Sequence, residues 1–212
     1  MLHATMPGSA RLEAGFTLIE VLVAMVIIAI LMAVGIPRMS DWVAGTKAAN
    51  AASFYAEGFA MARTQALANN SQSRLVFSDN ANGQKNWQVD ICFRATDTPC
   101  QVDGDWSSTE AAAKGAPGTS TMYRSIRRDA AILPASNRMS VALGPNGGKA
   151  VYFTPLGWVD TSRANPVTQI DLAPPAKEAD LFRASRVVVS MLGIATVCDP
   201  TVAKGDSRWC PQ

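Results

Sequence analysis

One acidic residue, Glu20, stands at the head of the most apolar stretch of this 212-residue chain. It closes the segment Gly15-Phe16-Thr17-Leu18-Ile19-Glu20, and residues 21–36 after it carry no charge. Within a membrane-spanning segment a carboxylate costs on the order of 3 kcal/mol by insertion scales, so it is expected to have a functional partner. A cation is the partner that makes a buried carboxylate tolerable. The competing reading has Glu20 snorkelling to the interface near the helix start.

The other chemistry-bearing residues are sparse. The four cysteines, Cys92, Cys100, Cys198 and Cys210, include no C-x-x-C pair, and the single histidine, His3, lies upstream of the apolar run. That excludes the usual zinc spacings and any Ser/His/Asp or Cys/His arrangement behind the run. No spacing singles out a pair of carboxylates. The expectation is therefore no metal, no cofactor and no catalytic residue, which is a chain that is not an enzyme. Residues 144–149 (Gly-Pro-Asn-Gly-Gly-Lys) invite comparison with a phosphate loop. The pattern fails, because Leu143 stands where the first glycine belongs and Ala150 where Ser or Thr should follow the lysine. A hairpin turn is the better reading. Asp97, Asp103 and Asp105 lack the EF-hand spacing and read as a solvated loop. Arg124, Arg127 and Arg128 form the only dense basic cluster; they could touch phosphates, or form a solvated strand end beside Asp129.

These residues must be positioned by two kinds of element. Counted from Phe16, the apolar run is 21 residues, about 31 Å as a helix, which matches a bilayer's hydrocarbon core. It is longer than the apolar core of an ordinary secretory signal. A cleaved signal with its cut near Ala44 is the competing reading, and it leaves Glu20 unexplained. The formal net charge is +2, and beyond Ile36 there remain 18 basic and 15 acidic residues, +3. This is no concentrated basic footprint and argues against a dedicated nucleic-acid binder. An even cysteine count behind a membrane anchor points to two disulfides in an oxidising compartment. Four cysteines allow three pairings. The local ones, Cys92–Cys100 and Cys198–Cys210, are favoured because each would staple a turn-rich segment.

Past Pro37 the pattern stays helical. Ala48, Ala52, Tyr55, Phe59, Ala62 and Ala66 recur three or four apart and predict one apolar face. Pro37 and Gly45 weaken the helix locally without having to end it, and Asn69-Asn70-Ser71 reads as its end. From there the period is two. Strands are predicted over 74–77, 87–93, 122–126, 139–143, 150–154, 167–172, 185–191 and 194–198, with 79–83 as a hairpin turn and 95–120 as a surface loop. The end, 199–212, is a loop that a Cys198–Cys210 bridge would tie down. One helix over about 16–68, then many short strands, predicts an α+β fold in which the helix lies across an antiparallel sheet.

The segment Gly15-Phe16-Thr17-Leu18-Ile19-Glu20 with its apolar helix resembles the processing site of type IV prepilins and type II secretion pseudopilins, and Pro37 falls where many pilins have a kinking proline. Looser matches resemble the GspH/FimT branch: 59–66 followed by a strand at 75–77, Phe153-Thr154-Pro155-Leu156-Gly157, and 186–193. The resemblance implies a pilin fold with a leader over 1–15, a membrane and filament-core helix half over 16–44, and a globular domain over 45–212. It implies cleavage after Gly15 by prepilin peptidase and N-methylation of Phe16. Glu20 would neutralise the N-terminal amine of a neighbouring subunit during assembly. Some FimT-type pilins bind DNA through a basic Gly-Arg-x-Arg motif near the C-terminus. Here that stretch is Gly193-Ile194-Ala195-Thr196, without an arginine.

The function expected is that of a minor pilin, made as a single-pass prepilin in the inner membrane with its C-terminal domain in the periplasm. It would join a type IV pilus at or near the tip and prime its assembly. Its partners would be other pilins through the N-terminal helix, the prepilin peptidase, the inner-membrane assembly platform, and the membrane before assembly. The alternatives are a minor pseudopilin of a type II secretion system and a DNA-binding pilin for uptake. A membrane-anchored periplasmic sensor would require the N-terminal match to be chance.

Overall fold

Along residues 48–66 every third or fourth side chain is small or aromatic, and the helix they form lays that stripe against two antiparallel sheets. The computed structural model describes residues 16–93, 100, 106–113, 123–145 and 147–211, without the side chains of 37, 38, 41, 44 and 178. Helix α1 spans Leu18–Ala68, 51 residues, unbroken at Pro37 and Gly45. The chain divides between Asp41 and Trp42 into two compact units.

In the second unit the expected face is the buried one: Ala48, Ala52, Tyr55, Phe59, Ala62 and Ala66 are each at most 3% exposed. The end of α1 has a specific cause. Asn70 adopts a left-handed φ of 45°. The Ser71 amide then donates to the Ala66 carbonyl (3.1 Å) and the Asn70 amide to that of Leu67 (3.3 Å). That is the paired closure of a Schellman cap, with asparagine in place of the commoner glycine.

Among the described residues eight strands follow: β1 (Gln72–Asp79), β2 (Lys85–Cys92), β3 (Ile126–Arg128), β4 (Ser140–Gly144), β5 (Ala150–Phe153), β6 (Gln169–Ala173), β7 (Ser185–Val189) and β8 (Ala195–Cys198). They form two four-stranded antiparallel sheets, ordered β3-β2-β1-β5 and β4-β6-β7-β8. The fold is thus α+β as expected, with two sheets where one was anticipated. β1 and β2 make the expected hairpin, from Gln72 opposite Cys92 to Asp79 opposite Lys85. The two strands that flank the glycine-rich stretch, β4 and β5, are not hairpin partners. β4 pairs with β6, and β5 with β1. The lead-in to β6 lies between β4 and β5, with Val167 donating to the Ala150 carbonyl (2.9 Å) and Thr168 to that of Gly144 (3.0 Å). That wedge separates the two sheets.

The strand expected at 122–126 lies further along, at Ile126–Arg128. Ser125 stays out of the ladder because its backbone amide donates to the Ser108 carbonyl instead (3.0 Å), while its hydroxyl bonds Asp90 (2.6 Å) and lies 2.9 Å from that of Ser107. In the described part of the expected surface loop, residues 109–111 are exposed, while Ser107 and Ala113 are buried. Ser107 donates its amide to the Ile91 carbonyl and its hydroxyl oxygen accepts from the Ile91 amide, both at 2.9 Å. Trp106 lies over the outer face of the first sheet, edge-on to Tyr152 (5.8 Å) and beneath the Arg74 guanidinium (4.6 Å).

Helix and sheet are also joined by polar contacts that the dry interface makes worth more than their number suggests. Trp87 donates its indole N–H to the Phe54 carbonyl (2.9 Å), and Ser73 its hydroxyl to that of Ala62 (2.6 Å). The Tyr55 hydroxyl donates to the Lys85 carbonyl (3.1 Å) and accepts from the Lys85 amide (3.3 Å). Burial pushes the Tyr55 phenol above its ordinary value, so it stays a donor. Gly58 lets the two elements approach: a β-carbon there would lie 3.1 Å from the Trp87 ring.

Candidate functional site

Thr17 opens α1. Its side-chain oxygen accepts from the Glu20 amide at 3.3 Å, while its carbonyl accepts from the amides of Glu20 (3.1 Å) and Val21 (3.2 Å). Thr-x-x-Glu is the capping-box spacing, with Thr17 as cap and Glu20 as the third helical residue. The cap uses the Glu20 backbone, so the exposed carboxylate is not consumed by that bond. Its charge stands in the first turn, where the unpaired amides of the helix favour an anion. The sequence reading missed this cap, although the Thr17…Glu20 spacing signals it.

Behind the cap, Leu18–Ile36 is 19 residues long with a mean hydropathy of 2.9, long and apolar enough to cross a membrane, and none of it is buried. Val21, Leu22, Ile27, Ile30 and Val34 point in different directions around the helix, and all are exposed. A helix that is apolar all round has to be covered, by lipid or by other helices. Phe16, just before the helix, is 82% exposed. Pro37 lies inside α1, and Gly15 lies outside the described residues.

The arginine cluster does not form one face. Arg128 is opposite Trp87, and Arg127 opposite Gln88. Trp87 is fully buried under α1, so Arg128 turns toward the helix and bonds Glu57 at 2.9 Å. Arg127, one residue back on a period-two strand, faces the opposite side. Arg124 is exposed in the lead-in. Asp97, Asp103 and Asp105 lie outside the described residues. Among the described residues no group of His, Cys, Asp and Glu could hold a metal.

Disulfides join Cys92 to Cys100 (Cα–Cα 6.2 Å) and Cys198 to Cys210 (5.0 Å). The first stands where the segment that carries Trp106 leaves β2. The second holds the C-terminal tail to the end of β8, where the Asp199 amide donates to the Arg208 carbonyl (2.7 Å).

The stretches 154–158 and 190–194 are both tight loop tips, and they sit side by side. In each, a glycine amide closes the turn: Gly157 donates to Thr154 and Gly193 to Ser190, both at 2.8 Å. The Val159 amide donates to the Met191 carbonyl (2.9 Å), and Arg63 donates to that of Leu192 (3.1 Å). Ile194, in the stretch compared with the basic motif, is half exposed.

Residues 10–36 match the prokaryotic N-terminal methylation motif, the signal of type IV pilins and pseudopilins. No curated protein and no solved structure matches the chain.

Proposed function

We propose that this chain is a minor pilin of the GspH/FimT type, a structural subunit and not an enzyme. The observation that carries this is the methylation motif joined to an apolar helix that none of the described residues buries. In this reading residues 1–15 are removed by prepilin peptidase after Gly15, and Phe16 becomes the N-methylated first residue. Residues 16–44 are held in the inner membrane and then transferred to the filament core. Residues 45–212 form the periplasmic domain. Glu20 pairs with the N-terminal amine of a neighbouring pilin, which offsets the cost of its burial. Incorporation at or near the tip of a type IV pilus primes assembly on the inner-membrane platform.

Mass spectrometry of the mature N-terminus tests the reading: a methylated Phe16 start is expected. An intact Met1, or a cut near Ala44, overturns it. A minor pseudopilin of type II secretion would carry the same motif. A deletion strain with normal piliation and twitching but failed exoprotein secretion selects that machine instead. DNA uptake is disfavoured by the splitting of Arg127 from Arg128 and by Ile194 at the loop tip.

A further inference from the structure

The two loop tips gather exposed apolar side chains at one corner of the domain. Leu156 (63%), Trp158 and Met191, Leu192 and Ile194 are each at least half exposed, and Leu67, near the end of α1, is 45% exposed. Leu67 belongs with them, since a β-carbon on Gly157 would touch its side chain at 3.0 Å. The tips are built rather than loose. Their amides and carbonyls are spent on each other: Thr154 donates to Trp158 (2.8 Å) and Ser190 to Ile194 (3.0 Å). Arg63, the cation beneath them, is engaged with the Leu192 carbonyl. The face therefore presents apolar surface on a backbone largely engaged within the two turns, and it recognises by apolar contact rather than by charge.

Six side chains about half exposed amount to on the order of 600 Å², at the top of what a monomer leaves bare and short of the roughly 800 Å² per partner of a free-standing interface. A partner on this face must be held by a second contact. A larger uncovered apolar surface among the described residues is Leu18–Ile36. A subunit packed against that helix is tethered, and tethering raises the effective concentration of its domain enough for a small patch to suffice. We propose that the tips at 154–158 and 190–194 are the contact through which this domain docks an apolar surface on the domain of the adjacent filament subunit. The inference rests on the filament reading above.

The test uses the full chain in its own host, with the photocrosslinker p-benzoylphenylalanine in place of Leu156 or Leu192. The expected product is a crosslink to a chain bearing the same N-terminal motif, formed in sheared filaments and absent from an assembly-deficient strain. Trp158→Glu with Leu192→Glu is expected to leave N-terminal processing and thermal melting in detergent unchanged, because both side chains are exposed. Incorporation into filaments is expected to fall at least about ten-fold. Crosslinks to lipid alone, crosslinks that persist without assembly, no crosslink in filaments, or unchanged incorporation of the double variant would each overturn the proposal. Wild-type chain that is never processed or never enters a filament removes the filament reading itself, and this proposal with it.

Discussion

The carbonyl oxygen of Gly157 occupies the place where a side chain at residue 193 would begin: a β-carbon on Gly193 would lie 2.2 Å from it. Gly193 also has a left-handed φ of 76°. Gly193→Ala therefore meets both a backbone clash and an unfavourable conformation. It is expected to destabilise the domain by about 2–4 kcal/mol, read by chemical denaturation. A loss under 0.5 kcal/mol would mean that the tips are free to move apart.

Glu20 offers a way to separate capping from charge. Glutamine serves in a capping box as well as glutamate does, so Glu20→Gln keeps the helix start and removes the anion. The expected outcome is normal cleavage after Gly15 with loss of filament incorporation. Normal incorporation of the variant would assign Glu20 to helix capping alone.

Two ion pairs contrast burial with exposure. The Asp90 carboxylate is 2% exposed and accepts from Arg74 (2.8 Å), Gln88 (2.7 Å) and Ser125 (2.6 Å). Asp90→Ala removes the buried acceptor that all three donors share and is expected to cost about 3–5 kcal/mol. The Arg128–Glu57 pair is about half exposed on both sides, and Arg128→Ala is expected to cost at most about 1 kcal/mol. Equal losses in urea melts would refute the assignment.

Asp199 supplies a pH signature. The Thr201 hydroxyl and amide bond its carboxylate and hold it below the ordinary carboxylate range. A folded value below the unfolded one means that the stabilisation is present above the ordinary range. It is lost as pH falls through the lowered value. Thr201→Val weakens the shift, so the drop in melting temperature between neutral and acid pH is expected to shrink relative to wild type. An unchanged acid limb would show that Thr201 contributes nothing to it.

Both disulfides close short loops, with sequence separations of 8 and 12, worth about 2.5–3 kcal/mol each by loop entropy. Cys198→Ser with Cys210→Ser is expected to lower stability by about that much and to expose the tail to proteolysis after Cys198, seen as an early cut in limited digestion. Cys92→Ser with Cys100→Ser is expected to loosen the Trp106 segment, read as faster hydrogen exchange at Ile91.

Much of this was legible beforehand because it is local. A period of three to four residues placed Ala48 through Ala66 on one face, and alternation marked the β1–β2 hairpin. The Gly15-to-Glu20 segment with its uncharged run announced a helix that needs an apolar environment. Cysteine spacing favoured the two short loops that the disulfides close. What failed was non-local. The glycine-rich stretch at 144–149 has the composition of a hairpin turn, and only the wedge of Val167 and Thr168 shows why it joins two sheets instead. Arg127 and Arg128 are neighbours in sequence and opposites in space, because a strand reverses its side chains at every residue.

The sequence by itself determined the N-terminal motif, the helix and the α+β class, since each depends on residues a few positions apart. The tertiary structure alone decided which surfaces remain uncovered. Leu156 and Leu192 lie far apart along the chain. Their tips come together because Gly193 carries no side chain, so its backbone lies against the Gly157 carbonyl, while Gly157 leaves room for Leu67 and Arg63 of α1.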